Sequence, residues 1–187
     1  MVLPGLTSAQ PAPALLANCA TCHGVDGNAT VAAFPSLAAQ PKVFLETQLV
    51  LIREGLRDIP GMADVMKGMS DDTISALATH YAAQPARVQP GPLRPELFRA
   101  GQAVARQALC GTCHLPDFAG QQQVPRLAGQ NEAYLLQTMK QLRDSPGPGR
   151  DTIMAATLHG MQDGDLEALA HHLAQSPVPR AAAAGRP

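Results

Sequence analysis

Cys19-Ala20-Thr21-Cys22-His23 returns 91 positions later as Cys110-Gly111-Thr112-Cys113-His114, and together the two stretches use every cysteine in the chain. Cys-x-x-Cys-His is the attachment pattern of c-type haem. Two thiols three positions apart on a helical turn reach the two vinyl groups on one porphyrin edge. The next residue then presents its imidazole to the iron. Cys19, Cys22 and His23 are therefore expected to serve one covalently bound haem c, and Cys110, Cys113 and His114 a second. A single zinc ion on four thiolates would use the same cysteines, but the pairs lie far apart and both histidines would go unexplained. A thioredoxin-like redox pair needs a strand-to-helix context, and none is visible.

The repeat extends outward from the cysteines. Pro35-Ser36-Leu37-Ala38-Ala39-Gln40 returns as Pro125-Arg126-Leu127-Ala128-Gly129-Gln130, shifted by 90, and Met62 pairs with Met154 at a shift of 92. Such small drift is what loop insertions leave in a duplicated domain. The expected organisation is a first single-haem domain over 1–84, a connector over 85–95, a second single-haem domain over 96–180 and a frayed tail over 181–187. Pro85, Pro90, Pro92 and Pro95 forbid a continuous helix in the connector and favour a stiff, extended one.

Each half reads as all-α. Residues 12–18 lead into the first cysteines and 97–109 into the second. Residues 41–54 and 131–143 carry apolar side chains at helical spacing. A third segment starts at Ser70, a good N-cap followed by Asp71 and Asp72. Ile74, Leu77, Ala78 and Tyr81 then form one apolar face, and Leu166, Leu169, Ala170 and Leu173 repeat it. Domains of this size are marginal unless something besides side chains fills the centre. A haem would do so, which agrees with four Phe, two Tyr and no Trp in 187 residues.

Bulk properties narrow the remaining classes. Formal charge is −1, with 14 basic and 15 acidic residues, so no electrostatic footprint for nucleic acid or an anionic membrane appears. No window approaches the ~20 apolar residues of a membrane span. The start, MVLPGLTSAQPAPALL, has no basic leader followed by a long apolar run, and it is read as a mature chain without its export signal.

An electron-transfer haem also needs a ligand opposite the histidine, a methionine sulfur or a second imidazole. Met62 with Met154 and Met69 with Met161 are the two pairs that the repeat preserves. Met62 follows Pro60-Gly61, a loop able to bring a thioether in from the far side, and so Met62 and Met154 are the preferred iron ligands. Met69 abuts the cap Ser70, where it reads as a packing residue. Met139 reads as core, and His159 is the imidazole alternative. His80 and His172 are expected at the surface near the ends of their helices. Pro35 and Pro125 follow Phe34 and Val124, whose carbonyls are expected to accept from the proximal imidazole N–H.

These pieces resemble the cytochrome c4 family, the two-domain, two-haem branch of class I cytochromes c. They are also similar to the dihaem subunit of flavocytochrome c sulfide dehydrogenase. The likeness covers residues 12–175 and rests on Cys19 to Gly24, Asp26-Gly27-Asn28, Phe34 to Gln40, the methionine loop, Ser70-Asp71-Asp72 and Val124 to Leu135. It implies tandem class I domains related by a pseudo-twofold axis, His/Met ligation through Met62 and Met154, residence in the periplasm and single-electron transfer. The partners it implies are a redox donor and acceptor, such as a terminal oxidase or a dehydrogenase catalytic subunit, including one oxidising reduced sulfur. Leu115-Pro116-Asp117 departs from the usual glycine after the second His114, and the loop from Arg57 to Met62 is short. Catalysis at a haem would need an open position or a cysteine ligand. No cysteine is left over.

Overall fold

The computed structural model describes residues 11–88 and 91–178. The expected tail over 181–187 and positions 89 and 90 of the connector lie outside the described residues. Among the described residues there are nine helices and no strand. The first half holds α1 (Pro13–His23), α2 (Lys42–Arg53), α3 (Met62–Met66) and α4 (Asp71–Ala82). The second holds α5 (Pro95–Gln107), α6 (Cys110–His114), α7 (Glu132–Asp144), α8 (Thr152–Leu158) and α9 (Asp163–Gln175).

Local chemistry explains most of these bounds. Pro13 and Pro95 open α1 and α5, where a missing N–H costs nothing. Ser70 caps α4 by accepting from the Thr73 amide at 3.2 Å, and Gln162 and Asp165 form a capping box on α9. The helix entering the second haem motif differs from the sequence expectation. It stops at Gln107, Leu109 turns left-handed with φ 55°, and the cysteines begin a separate short helix. The methionine segments, read as loops, wind into α3 and α8.

Both expected apolar stripes are buried. Ile74, Leu77, Ala78 and Tyr81 line α4, and Leu166, Leu169, Ala170 and Leu173 line α9. Leu45 of α2 and Leu135 of α7 pack against them at matching places. A repeated arginine ties the middle helix to the last. Arg53 donates to the Met69 carbonyl at 2.8 Å and Asp71 at 2.6 Å, and Arg143 donates to the Met161 carbonyl at 2.9 Å and pairs with Asp163 at 2.8 Å.

The halves meet through a reciprocal set of buried hydrogen bonds. The Gln40 amide donates to the Arg126 carbonyl at 3.0 Å and accepts from the Arg126 N–H at 2.9 Å. The Gln130 amide donates to the Ser36 carbonyl at 2.9 Å and accepts from the Ser36 N–H at 2.7 Å. Ser36 and Arg126 are repeat partners, as are Gln40 and Gln130. Exchanging the halves reproduces the set, which is the signature of a twofold relation. The connector is tied at each end. Asn28 donates to the Pro85 carbonyl and accepts from the Arg87 amide, and Gln175 donates to the Gly91 carbonyl.

Candidate haem centres

Each Cys-x-x-Cys-His segment is one helical turn with a short lead-out, so its two thiols share a face and its histidine turns inward. His23 is 7 % exposed and His114 4 %. Their Nδ1 atoms lie 2.9 Å from the carbonyls of Pro35 and Pro125 respectively. This corrects the sequence expectation, which assigned the bond to the residues before the prolines, Phe34 and Val124. The Phe34 carbonyl is occupied otherwise, accepting from the Asn131 side chain at 2.6 Å.

A carbonyl can only accept, so Nδ1 carries the proton and Nε2 is left with its lone pair. His114 Nε2 is buried and has no hydrogen-bond partner. Buried polar atoms are otherwise paired, and an unpaired imidazole nitrogen suits a metal. Burial pushes both imidazoles toward the neutral form, only partly opposed by the proline carbonyls. Neutral imidazole is the ligating form.

No disulfide joins the four cysteines, and Cys19 and Cys110 are half-buried. Cys22 is half-buried and Cys113 exposed. Among the described residues no three His, Cys, Asp or Glu side chains gather into a metal-binding group, which leaves the four-thiolate zinc arrangement without a site.

Met62 opens α3 behind the left-handed Gly61, is half-buried and packs against the Ile52, Met66 and Ile74 cluster. Met154 sits in α8, its amide capped by Asp151 at 2.8 Å, and packs against the second core. Met69 and Met161 are also partly buried against those cores. Met66 and Met139 are core residues. His159 is exposed.

The expectation for His172 fails. It is 5 % exposed, enclosed by Phe98 at 4.7 Å and Phe118 at 5.7 Å. Its neighbour His171 is fully buried, bonded to Glu132 and to the Arg94 amide. The outward face assumed for the end of this helix is covered by α5. Gln40 and Gln130 were part of the repeat but had no assigned task. The signal was present, since each is a polar side chain kept at the same place after a small apolar run.

Two helical domains, each with a Cys-x-x-Cys-His turn and a buried, oriented imidazole, define a tandem class I c-type cytochrome with two covalently bound haem c groups. Known proteins agree. Residues 9–80 match the family model of cytochrome c oxidase, cbb3-type, subunit III, and residues 98–177 match that of cytochrome c. Cytochrome c4 of Thiocapsa roseopersicina is 33 % identical over 67 % of this chain and 69 % of its own length. The thiosulfate dehydrogenase electron acceptor of Thiomonas intermedia is 30 % identical over 89 % of this chain and 82 % of its own. The crystal structure of reduced recombinant cytochrome c4 from Pseudomonas stutzeri superposes with a TM-score of 0.79 at 28 % identity, covering 90 % of this chain and 99 % of that one. The chain belongs to the cytochrome c4 family, and it is a dihaem electron-transfer protein.

Proposed function

We propose that the chain is a periplasmic carrier that shuttles single electrons between redox proteins and is not itself an enzyme. Cys19, Cys22, His23 and Met62 hold the first haem, and Cys110, Cys113, His114 and Met154 the second. The observation that carries this reading is the pair of buried imidazoles, each donating Nδ1–H to a proline carbonyl at 2.9 Å.

Bound haem supplies an iron that cycles between Fe(II) and Fe(III). The rest is the work of side chains. Pro35 and Pro125 fix the ring planes and make Nε2 a stronger donor. Met62 and Met154 would each supply a thioether to the iron, a ligand that favours the reduced state. The half-buried Leu37 and Leu127 belong to the apolar packing that limits water around the sites. Near-zero net charge fits docking through local contacts more than long-range steering.

The donor and acceptor are redox proteins, with a terminal oxidase one candidate acceptor. A relative named as a thiosulfate dehydrogenase electron acceptor favours a second reading, service to a periplasmic dehydrogenase that oxidises reduced sulfur. Reduction of the purified holoprotein by such an enzyme, at a rate saturating in the cytochrome, would select it.

The ligand assignment is tested by the weak far-red sulfur-to-iron charge-transfer band of the oxidised protein. Met62→Ala and Met154→Ala should each remove half of it, and together all of it. Met69→Ala and Met161→Ala should leave it whole. The opposite pattern moves the ligands to the second pair.

A further inference from the structure

Each buried imidazole donates to a proline carbonyl, and that carbonyl belongs to a peptide group whose N–H is bonded to the opposite half. His23 Nδ1–H donates to the Pro35 carbonyl at 2.9 Å. The N–H of the same peptide group, that of Ser36, donates to Gln130 Oε1 at 2.7 Å. His114 Nδ1–H donates likewise to the Pro125 carbonyl at 2.9 Å, and the Arg126 N–H donates to Gln40 Oε1 at 2.9 Å. Two short chains result, running from imidazole to peptide to glutamine amide. Each ends on a residue of the other half.

Both histidines, both glutamines, Ser36 and Arg126 are buried. The glutamines are also fixed in orientation. The Gln130 NH2 group donates back to the Ser36 carbonyl at 2.9 Å and that of Gln40 to the Arg126 carbonyl at 3.0 Å, so each amide oxygen is left facing the peptide N–H. A peptide group that donates at its N–H accepts more strongly at its C=O, because both bonds polarise it in the same sense, by roughly 10–30 % per bond. A stronger acceptor draws the Nδ1 proton harder and leaves Nε2 richer in electrons.

We propose that the two glutamines are positioning residues for the axial imidazole across the boundary, Gln130 for His23 and Gln40 for His114, and that each lowers the reduction potential of the opposite site. The proposal rests on the dihaem reading. It adds that neither half completes the hydrogen-bond chain of its own histidine. An electron-rich imidazole favours Fe(III), so loss of a glutamine raises the potential of the haem it does not share a half with.

Holding the halves together is a separable duty, because Asn131 grips the first proline loop by other atoms. Its side chain donates to the Phe34 carbonyl at 2.6 Å and to those of Ala29 and Val31 at 3.3 Å, none of which lies in the Pro35–Ser36 peptide group. The experiment is a redox titration of purified holoprotein followed haem by haem by NMR, with haem content counted by pyridine haemochrome. Gln130→Leu should raise the potential of the first haem alone. In the reduced, diamagnetic protein it should move the His23 Nδ1–H resonance upfield. Gln40→Leu should do the same to the second haem and His114, and Asn131→Ala should leave the first potential where it was. Unmoved potentials in the folded leucine variants overturn the proposal, as does an equal rise of both haems in each. A rise in Asn131→Ala matching that of Gln130→Leu also overturns it, by making loop placement the cause. If the leucine variants fail to fold, amide exchange of the wild-type holoprotein decides. Ser36 and Arg126 should be as protected as the helix cores, and free exchange at either overturns the proposal. Wild-type protein without covalent haem would instead break the earlier reading.

Discussion

The two halves repeat one sequence plan but lean on it differently. In the first, α1 spends five of its 11 residues on the Cys-x-x-Cys-His turn itself, and the buried core divides into two small clusters. In the second, α5 runs 13 residues before the haem turn and crosses α9 at Gly101, where a Cβ would lie 2.0 Å from the Ala168 carbonyl oxygen. Its buried residues form one continuous cluster. A duplicated domain can thus keep its cofactor chemistry while shifting how much of its stability comes from helix packing.

The strongest way to break that comparison is to withhold one haem at a time. Cys19→Ala with Cys22→Ala should abolish cooperative unfolding of the first half, a loss comparable to the ~5 kcal/mol of a marginal domain. Cys110→Ala with Cys113→Ala should leave part of the second half helical through the α5–α9 pair. Circular dichroism melts of the two variants decide it, and equal losses would erase the distinction. Next in size is the crossing itself. Gly101→Val forces the two backbones apart, and overpacking of this kind destabilises by about 3 kcal/mol. The effect should appear in the second half's transition only.

The seam between the halves gives a smaller effect. Gln130→Ala strands the buried Ser36 N–H and carbonyl, and an unsatisfied buried group costs about 1–3 kcal/mol. The expected readout is a thermal transition that splits in two, because coupling between the halves is lost. Retention of a single transition would place the coupling elsewhere, in the connector contacts of Asn28 for example.

A pH effect should also be one-sided. Burial, helped by Arg106 and His171, depresses the His172 imidazole below its ordinary 6.5. The folded second half then binds fewer protons than its unfolded chain at mildly acid pH. Stability present above about pH 6.5 is lost as pH falls from there toward the depressed folded value. His172→Asn should flatten that slope in the melting temperature of the second half. His80, at the matching place in the first half, is only half-buried and its replacement should change the slope less.

The fold was largely legible because the repeat and the helical stripes are local signals. Both stripes are buried where periodicity placed them, and Ser70 caps its helix as its residue type suggests. The haem turns were legible because attachment chemistry fixes residue type and spacing. What the sequence hid was tertiary. Which carbonyl meets the imidazole depends on how the Pro35 and Pro125 loops curl, and the fate of His172 depends on Phe98 and Phe118, both distant in the sequence. The contact between the two loops ahead of α3 and α8 is invisible to either repeat alone, since Gly149 meets the Leu56 carbonyl only in the folded chain.

The finest difference between the halves lies just after each histidine. Gly24 adopts φ 80°, ψ 155°, and Leu115 adopts φ 68°, ψ 156°. The backbone path is the same, in a region that essentially only glycine enters without strain, at about 1–3 kcal/mol for other residues. In the first half glycine is compulsory twice over, because a Cβ on Gly24 would lie 2.3 Å from the Asn28 carbonyl oxygen. In the second half Pro116-Asp117-Phe118 repeats the turn, the Phe118 N–H donating to the Leu115 carbonyl as the Gly27 N–H does to that of Gly24, and Leu115 carries the dihedral strain. Leu115→Gly should therefore stabilise the second half by about 1 kcal/mol, after the entropy that glycine gains in the unfolded chain and the partial burial of the leucine are set against the relief. A rise of a few degrees in that half's melting temperature, with both haems retained, is the expected result. A fall would mean that the half-buried Leu115 side chain contributes more packing than its backbone forfeits.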